Sequence, residues 1–151
     1  MAKERKIQKV YEMPGFGFSV VLHNVPMTKI QGEWTPDVDY NHLNEMVLSA
    51  VIAKPARLTG AEIKFIRHSL EMTLVEFAER FDVTHPAVLK WEKKKDEPTG
   101  ISWPTEKDIR LFVMGRLHKK GQEIARAYFG FEKAFPEGNK AIKIDLEKKS
   151  A

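Results

Sequence analysis

The 151-residue chain has no cysteine, which excludes disulfides, thiolate zinc sites and cysteine nucleophiles together. It also has no uncharged apolar run of the roughly 18 residues that a membrane span needs. The charged opening Met1-Ala-Lys-Glu-Arg-Lys6 leads into no apolar stretch of the kind a secretory signal carries. A cytoplasmic protein without a membrane partner is therefore expected. Catalytic signatures are missing too. There is no Gly-x-Ser-x-Gly, phosphate loop or His-Glu-x-x-His, and Ser19, Ser49, Ser69, Ser102 and Ser150 lack flanks that would mark a nucleophile. Glu76 and Glu79 read as ordinary acids on the solvent face of a helix. His23, His42, His68, His85 and His118 share no metal-ligand spacing. Asp37, Asp39 and His42 are better explained by a helix cap beside a surface histidine. Gly15-Phe-Gly17 lacks the third glycine of a dinucleotide fingerprint and reads as a turn. No enzyme, metal or cofactor is expected.

Charged residues make up 30% and hydrophobic residues 42% of the sequence, the balance of a globular rather than a disordered chain. The net charge of +4 permits a polyanionic partner without requiring one. Its distribution decides more. Residues 1–58 carry 7 basic and 6 acidic groups, 59–117 carry 10 and 10, and 118–151 carry 8 and 5, so no segment is a basic tail. Any nucleic-acid contact must come from lysines placed on one surface.

The patterning divides the chain into four segments. Residues 1–38 read as a small β module, with Phe18–Leu22 and Met27–Gln31 as extended pieces of an antiparallel sheet, separated at His23-Asn24 and Pro26. Residues 39–56 read as a connecting or dimerisation helix. Leu43, Met46, Val47, Ala50 and Val51 fall on one face of it, Asp39 or Asn41 caps it, and Lys54-Pro55 ends it. Residues 57–131 hold a cluster of helices. Thr59 with Glu62 and Thr73 with Glu76 are capping-box patterns, Thr84 precedes a helix with Pro86 in its first turn, and Thr105 with Asp108 opens a later helix. A further short helix is expected over 122–129. Residues 132–151 form a tail, either one edge strand or disordered.

The most informative stretch runs from Met72 to Glu92. Counting Leu74 as the first position, the apolar positions are four, eight, ten, fifteen and eighteen, namely Phe77, Phe81, Val83, Val88 and Trp91. Position five is Ala78, small enough for a second helix to pass close by. Position nine, at the turn, is Asp82, one of the few residues besides glycine that tolerates a left-handed backbone. Two helices joined by a three- to four-residue turn at a steep angle require this spacing. It is the spacing of a helix-turn-helix.

Residues 58–93 resemble the phage-repressor-like (XRE/Cro) class of DNA-binding domains. The resemblance implies a mainly α fold, a lambda-repressor-like domain of five helices, with 105–117 among its later members, preceded by the short antiparallel sheet and a helix. The order of β module, helix and helix-turn-helix also resembles MqsA-type and YgiT-like antitoxin regulators. Those hold zinc in the N-terminal module through paired cysteines, whereas Asn24 to Glu33 occupies the comparable place here with no cysteine.

The phage-repressor resemblance implies that the helix after Thr84 enters a DNA major groove, which admits one α-helix. With Val88 and Trp91 inward, His85, Pro86, Ala87, Leu89 and Lys90 face the bases. Thr73 and Thr84, with the N–H groups at both helix starts, and Lys93, Lys94 and Lys95 suit phosphates. The glutamine common at position one of this class is replaced by Leu74. His85 and Lys90 are the only strong polar readers, so DNA shape or dimer spacing has to supply part of any specificity.

The expected function is a sequence-specific, repressor-like transcriptional regulator, a homodimer on double-stranded DNA with a palindromic operator. An autorepressing antitoxin with a toxin partner is a refinement of it. The alternative is a protein-interaction module whose helix-turn-helix has lost DNA binding, motivated by the apolar Leu74, Pro86, Ala87 and Leu89.

Overall fold

A computed structural model describes residues 3–138 and 141–147. Among them are six helices and a small sheet of four strands. Where the sequence suggested four segments, the chain gathers into two compact units. One is Met1–Ala50 with Ala141–Ala151, and the other is Val51–Lys140. In sequence the second unit is an insertion within the first.

The sheet unit is built on one long strand. β1 (Arg5–Met13) pairs antiparallel with β2 (Val20–Ile30), and β3 (Glu33–Pro36) pairs antiparallel with the second half of β2. β4 (Ile142–Asp145) pairs parallel with Val20–His23. Two expectations are corrected here. The sheet is mixed rather than purely antiparallel. The two extended pieces expected around His23-Asn24 and Pro26 are a single strand of 11 residues.

The turn-like residues in β2 have a physical role. One edge of β2 changes partner between His23, the last residue bonded to β4, and Met27, the first paired with β3. Asn24 lies in that gap with a left-handed backbone, φ 57°. The buried positions shift phase across it, from Val20 and Leu22 to Val25 and Met27. Pro26 occupies the same gap. Its carbonyl accepts from Asp37 N at 2.8 Å, and in a strand the N–H and C=O of one residue point to the same edge, so the N–H that proline lacks falls on the β3 side just beyond the last paired residues, where the ladder ends. The Asn24 amide donates to the Asp145 carboxylate at 3.1 Å, tying the switch point to β4.

α1 (Tyr40–Ala53) has the bounds expected from its pattern, and Asp39 is its cap, accepting from the backbone of Asn41 and His42. The tail expected over 132–151 divides between the units. Phe131 and Phe135 pack on Trp103 in the helical unit, whereas 142–145 is the strand β4; residues 139–140 and 148–151 lie outside the described residues.

The helical unit holds α2 (Gly60–Ser69), α3 (Leu74–Arg80), α4 (His85–Lys93), α5 (Trp103–Arg116) and α6 (Gly121–Gly130). Both capping boxes form: the Thr59 hydroxyl accepts from Glu62 N and the Thr73 hydroxyl from Glu76 N, each glutamate returning to the cap's own N–H. α5 begins earlier than expected. Its cap is Ser102, with Pro104 in the first turn where a missing N–H costs nothing, and Thr105 is inside the helix.

The core contains Ile63, Ile66, Phe77, Val88, Ile109 and Val113, together with a set of buried charges. Arg110 is fully buried; it donates to Glu106 and to the carbonyls of Ile52, Lys54 and Ala56, closing the C-terminal end of α1. Burial lowers its affinity for a proton, and the Glu106 carboxylate opposes that. Arg57 donates to the other Glu106 oxygen at 2.9 Å and to the Ile101 carbonyl. Lys54 Nζ lies 2.6 Å from Glu62 Oε1.

Candidate nucleic-acid interface

α3 and α4 are joined by the turn Phe81 to Thr84. Val83 N donates to Ala78 O at 2.9 Å and Asp82 N to Glu79 O at 3.3 Å. With Asp82 at φ 55°, this bond pair is a Schellman termination, which stops α3 and redirects the chain. Of the apolar positions assigned to this stretch, Phe77, Phe81, Val88 and Trp91 are buried, Val83 is half-buried, and Ala78 is buried where α3 meets α4. Trp91 is thus a core anchor.

α4 is fixed to α2 from behind. Arg67 of α2 makes a two-pronged ion pair with Glu92, Nε to Oε2 at 2.7 Å and Nη2 to Oε1 at 2.9 Å. Its third donor reaches Met72 O at 3.0 Å, just before the α3 cap. One half-buried guanidinium therefore orients α4 and the entry to α3 together. At the far end, Gly60 lies against the α4 backbone so closely that a Cβ there would fall 2.2 Å from Trp91 O and 2.9 Å from Lys95 N. Ala61 N completes the junction, donating to Lys95 O at 2.9 Å. Arg67, Glu92 and Gly60 escaped the sequence reading. The only signal was an acid directly after the core tryptophan.

The opposite side of α4 is open. His85, Pro86, Leu89 and Lys90 are exposed and Ala87 is half-buried, so these five side chains share the solvent-facing side of one helix. Lys93 and Lys95 are exposed and Lys94 half-buried at the C-terminal end, about 13 Å along the axis from His85. Thr73 and Thr84 are exposed at the two helix starts.

Those helix starts offer a phosphate less than their position suggests. On α3 the capping box takes the N–H groups of Thr73 and Glu76, leaving Leu74 and Val75 from the first turn. On α4 Thr84 takes Ala87 N and Pro86 has no N–H, which leaves Thr84 and His85. The Glu76 carboxylate also stands at the α3 start. The Thr73 backbone and hydroxyl bonds hold it charged below the usual glutamate range, and a fixed negative charge there repels phosphate. The cations near the open side are Lys90 and the Lys93–Lys95 cluster, with Glu79 and Asp82 exposed on the α3 side.

Among the described residues, no group of three His, Asp or Glu side chains is placed to hold a metal ion, and no helix is long and apolar enough to cross a membrane. No family model, curated protein or solved structure matches the chain.

Proposed function

We propose that the chain is a sequence-specific DNA-binding regulator whose α4 reads a major groove. One observation carries the reading: α4 is anchored along its back by Val88, Trp91, Arg67–Glu92 and Gly60, while His85, Pro86, Ala87, Leu89 and Lys90 remain on its free side. A rigid helix with an open polar-and-apolar face suits a groove, because base-edge contacts require positional accuracy. The turn with Asp82 left-handed supports a helix-turn-helix of the phage-repressor type. In this reading Lys90 and His85 donate to purine acceptors, and Pro86 and Ala87 meet thymine methyl groups. Lys93, Lys94 and Lys95 hold the phosphate backbone, with Thr73 and Thr84 lesser contributors. Two copies with reading helices about 34–36 Å apart would recognise a palindrome. A toxin partner, as in antitoxin regulators, fits the same scheme as an additional ligand.

The test separates bases from backbone. Selection from a random DNA pool is expected to return a palindrome. On that operator Lys90→Ala should cost about 1–3 kcal/mol and relax the sequence preference. Lys94→Ala should weaken every duplex alike and reduce the salt slope by about one. Equal losses on operator and random DNA for both variants contradict the assignment.

A second reading is favoured by one feature. Val75, beside the acidic Glu76 and Glu79 on α3, is 49% exposed and Leu89 on α4 39%, apolar exposure that suits a protein partner better than phosphate. An interaction module of this kind shows no affinity for any duplex at low salt.

A further inference from the structure

The sheet unit leaves one strand edge open among the described residues. β1 is bonded to β2 along one edge, and among the described residues no strand lies along the other. The Val10 carbonyl takes a hydrogen bond from the exposed Gln8 side-chain amide at 2.9 Å, rather than from another strand. Beside the second half of β1 lies an open trough of about 720 Å³, walled by Val10, Tyr11, Met13, Pro14 and Phe18, with Gln8, Glu12 and Ser19 also on its lining. Ile7 and Val10 are 58% and 53% exposed, unusually high for apolar strand residues. The first half of the strand is basic: Arg5, Lys6 and Lys9 are exposed, and Glu12 is the only acid within β1.

We propose that the open edge of β1 binds an extended segment of a partner protein by adding it as an antiparallel strand, with apolar residues first and acidic residues after them. The order follows from direction. An antiparallel strand begins opposite Met13, Tyr11 and Val10, whose apolar trough accepts alternate apolar side chains. It ends opposite Lys9 and Arg5, which complement carboxylates, whereas the Lys6 ammonium lies over the Trp34 ring at 4.5 Å. Charge also argues against a second copy as occupant. β1 carries a net +2, so pairing two such strands brings like charge together, and lysines on an edge are the usual guard against self-pairing. The site is independent of the α4 reading, so either can fail without the other.

The experiment uses the full chain and a synthetic peptide, Val-Thr-Val-Thr-Glu-Val-Asp-Glu, with amide hydrogen exchange as readout. The peptide is expected to slow exchange of β1 amides and to leave α4 unchanged. Two N-methylated versions, blocked at odd or at even positions within the first four residues, opposite Met13 to Val10 where the edge keeps one phase, separate main-chain pairing from side-chain contact. One should bind at least about tenfold more weakly and the other nearly normally, because a strand bonds a given neighbour through alternate residues. The double variant Arg5→Glu with Lys9→Glu should weaken the acidic-ended peptide about tenfold and favour the same peptide ending in lysines. An absence of β1 protection overturns the proposal. Equal loss or equal retention for the two methylated peptides overturns it as well. Protection of β1 that grows with protein concentration alone assigns the edge to a second copy, and also overturns it.

Discussion

In the helical unit the largest fully buried side chain among the described residues is an arginine, Arg110, and the carboxylates of Glu106 and Glu62 are buried with it. The sheet unit instead buries Val20, Leu22, Val25 and Met27, and its Lys29–Glu4 ion pair, 3.7 Å long, is at the surface. The contrast concerns how each unit obtains a unique arrangement. Apolar side chains stabilise without direction, so the sheet relies on backbone register and on the partner switch at Asn24 to Pro26. The helical unit relies on directional bonds. Arg110 fits one arrangement of the α1 end, and Arg67 fits one position of α4. Buried ion pairs add little net stability over well-packed apolar groups; what they provide here is a fixed α4, which the proposed function requires.

The largest expected effect breaks that network. Arg110→Met leaves Glu106 buried with Arg57 as its remaining cation and takes the donors from the carbonyls of Ile52, Lys54 and Ala56; it should cost about 3–5 kcal/mol, read as a lower denaturant midpoint. Adding Glu106→Leu together with Arg57→Met should return part of the loss, because removing all three charges leaves none stranded. Failure of the added changes to help would show that the network holds the unit by something other than paired charge.

A smaller effect is expected at the α2–α4 junction. Gly60→Ala places a methyl group against the backbone of Trp91 and Lys95, where no flexible side chain can yield, at a cost of about 1–3 kcal/mol. The comparison sharpens if Gly17→Ala in the sheet unit is measured alongside. Gly17 has open space around it but φ 88°, so its cost is of conformation alone. Equal cooperative loss of α4 structure for both would contradict the close approach.

The smallest effect is a pH dependence at the α3 cap. The Glu76 carboxyl titrates lower in the folded chain than when unfolded, so its contribution is complete above the unfolded value and is lost as pH falls through the folded one. Acid unfolding of the native chain should therefore include a loss below the usual glutamate range that Glu76→Gln lacks. Identical stability profiles in that window would show that the capping bond is not formed in solution.

Much of the helical unit was legible because helix starts are written in adjacent residues. Thr59 with Glu62 and Thr73 with Glu76 carry both halves of each capping box within four positions. Helix ends were harder to see. α2, α3 and α5 end with Glu71, Asp82 and His118 in the left-handed region, and none is the glycine that marks such a stop. Only Asp82 was recognisable, because its neighbours matched a known spacing. Ser102 was hidden by a stretch that reads as loop by composition. The partners that fix α4 were not legible at all, since Arg67 and Glu92 are 25 positions apart and Arg110 reaches Ile52 across 58. The sheet failed for the same reason in stronger form. β4 comes from the far end of the chain, and a parallel pairing leaves no local signature. The apolar and polar faces of α4 were readable from period alone, but the loss of phosphate-binding N–H groups to the caps required coordinates.

The central claim is that α4 presents its free side to a duplex, and fluorescence anisotropy of a labelled random duplex between about 50 and 200 mM salt tests it most directly. The account predicts binding at the lower concentration that weakens by orders of magnitude at the higher, as counterions released by Lys90 and Lys93–Lys95 regain their place. No change in anisotropy at either concentration, with the protein folded, would contradict it.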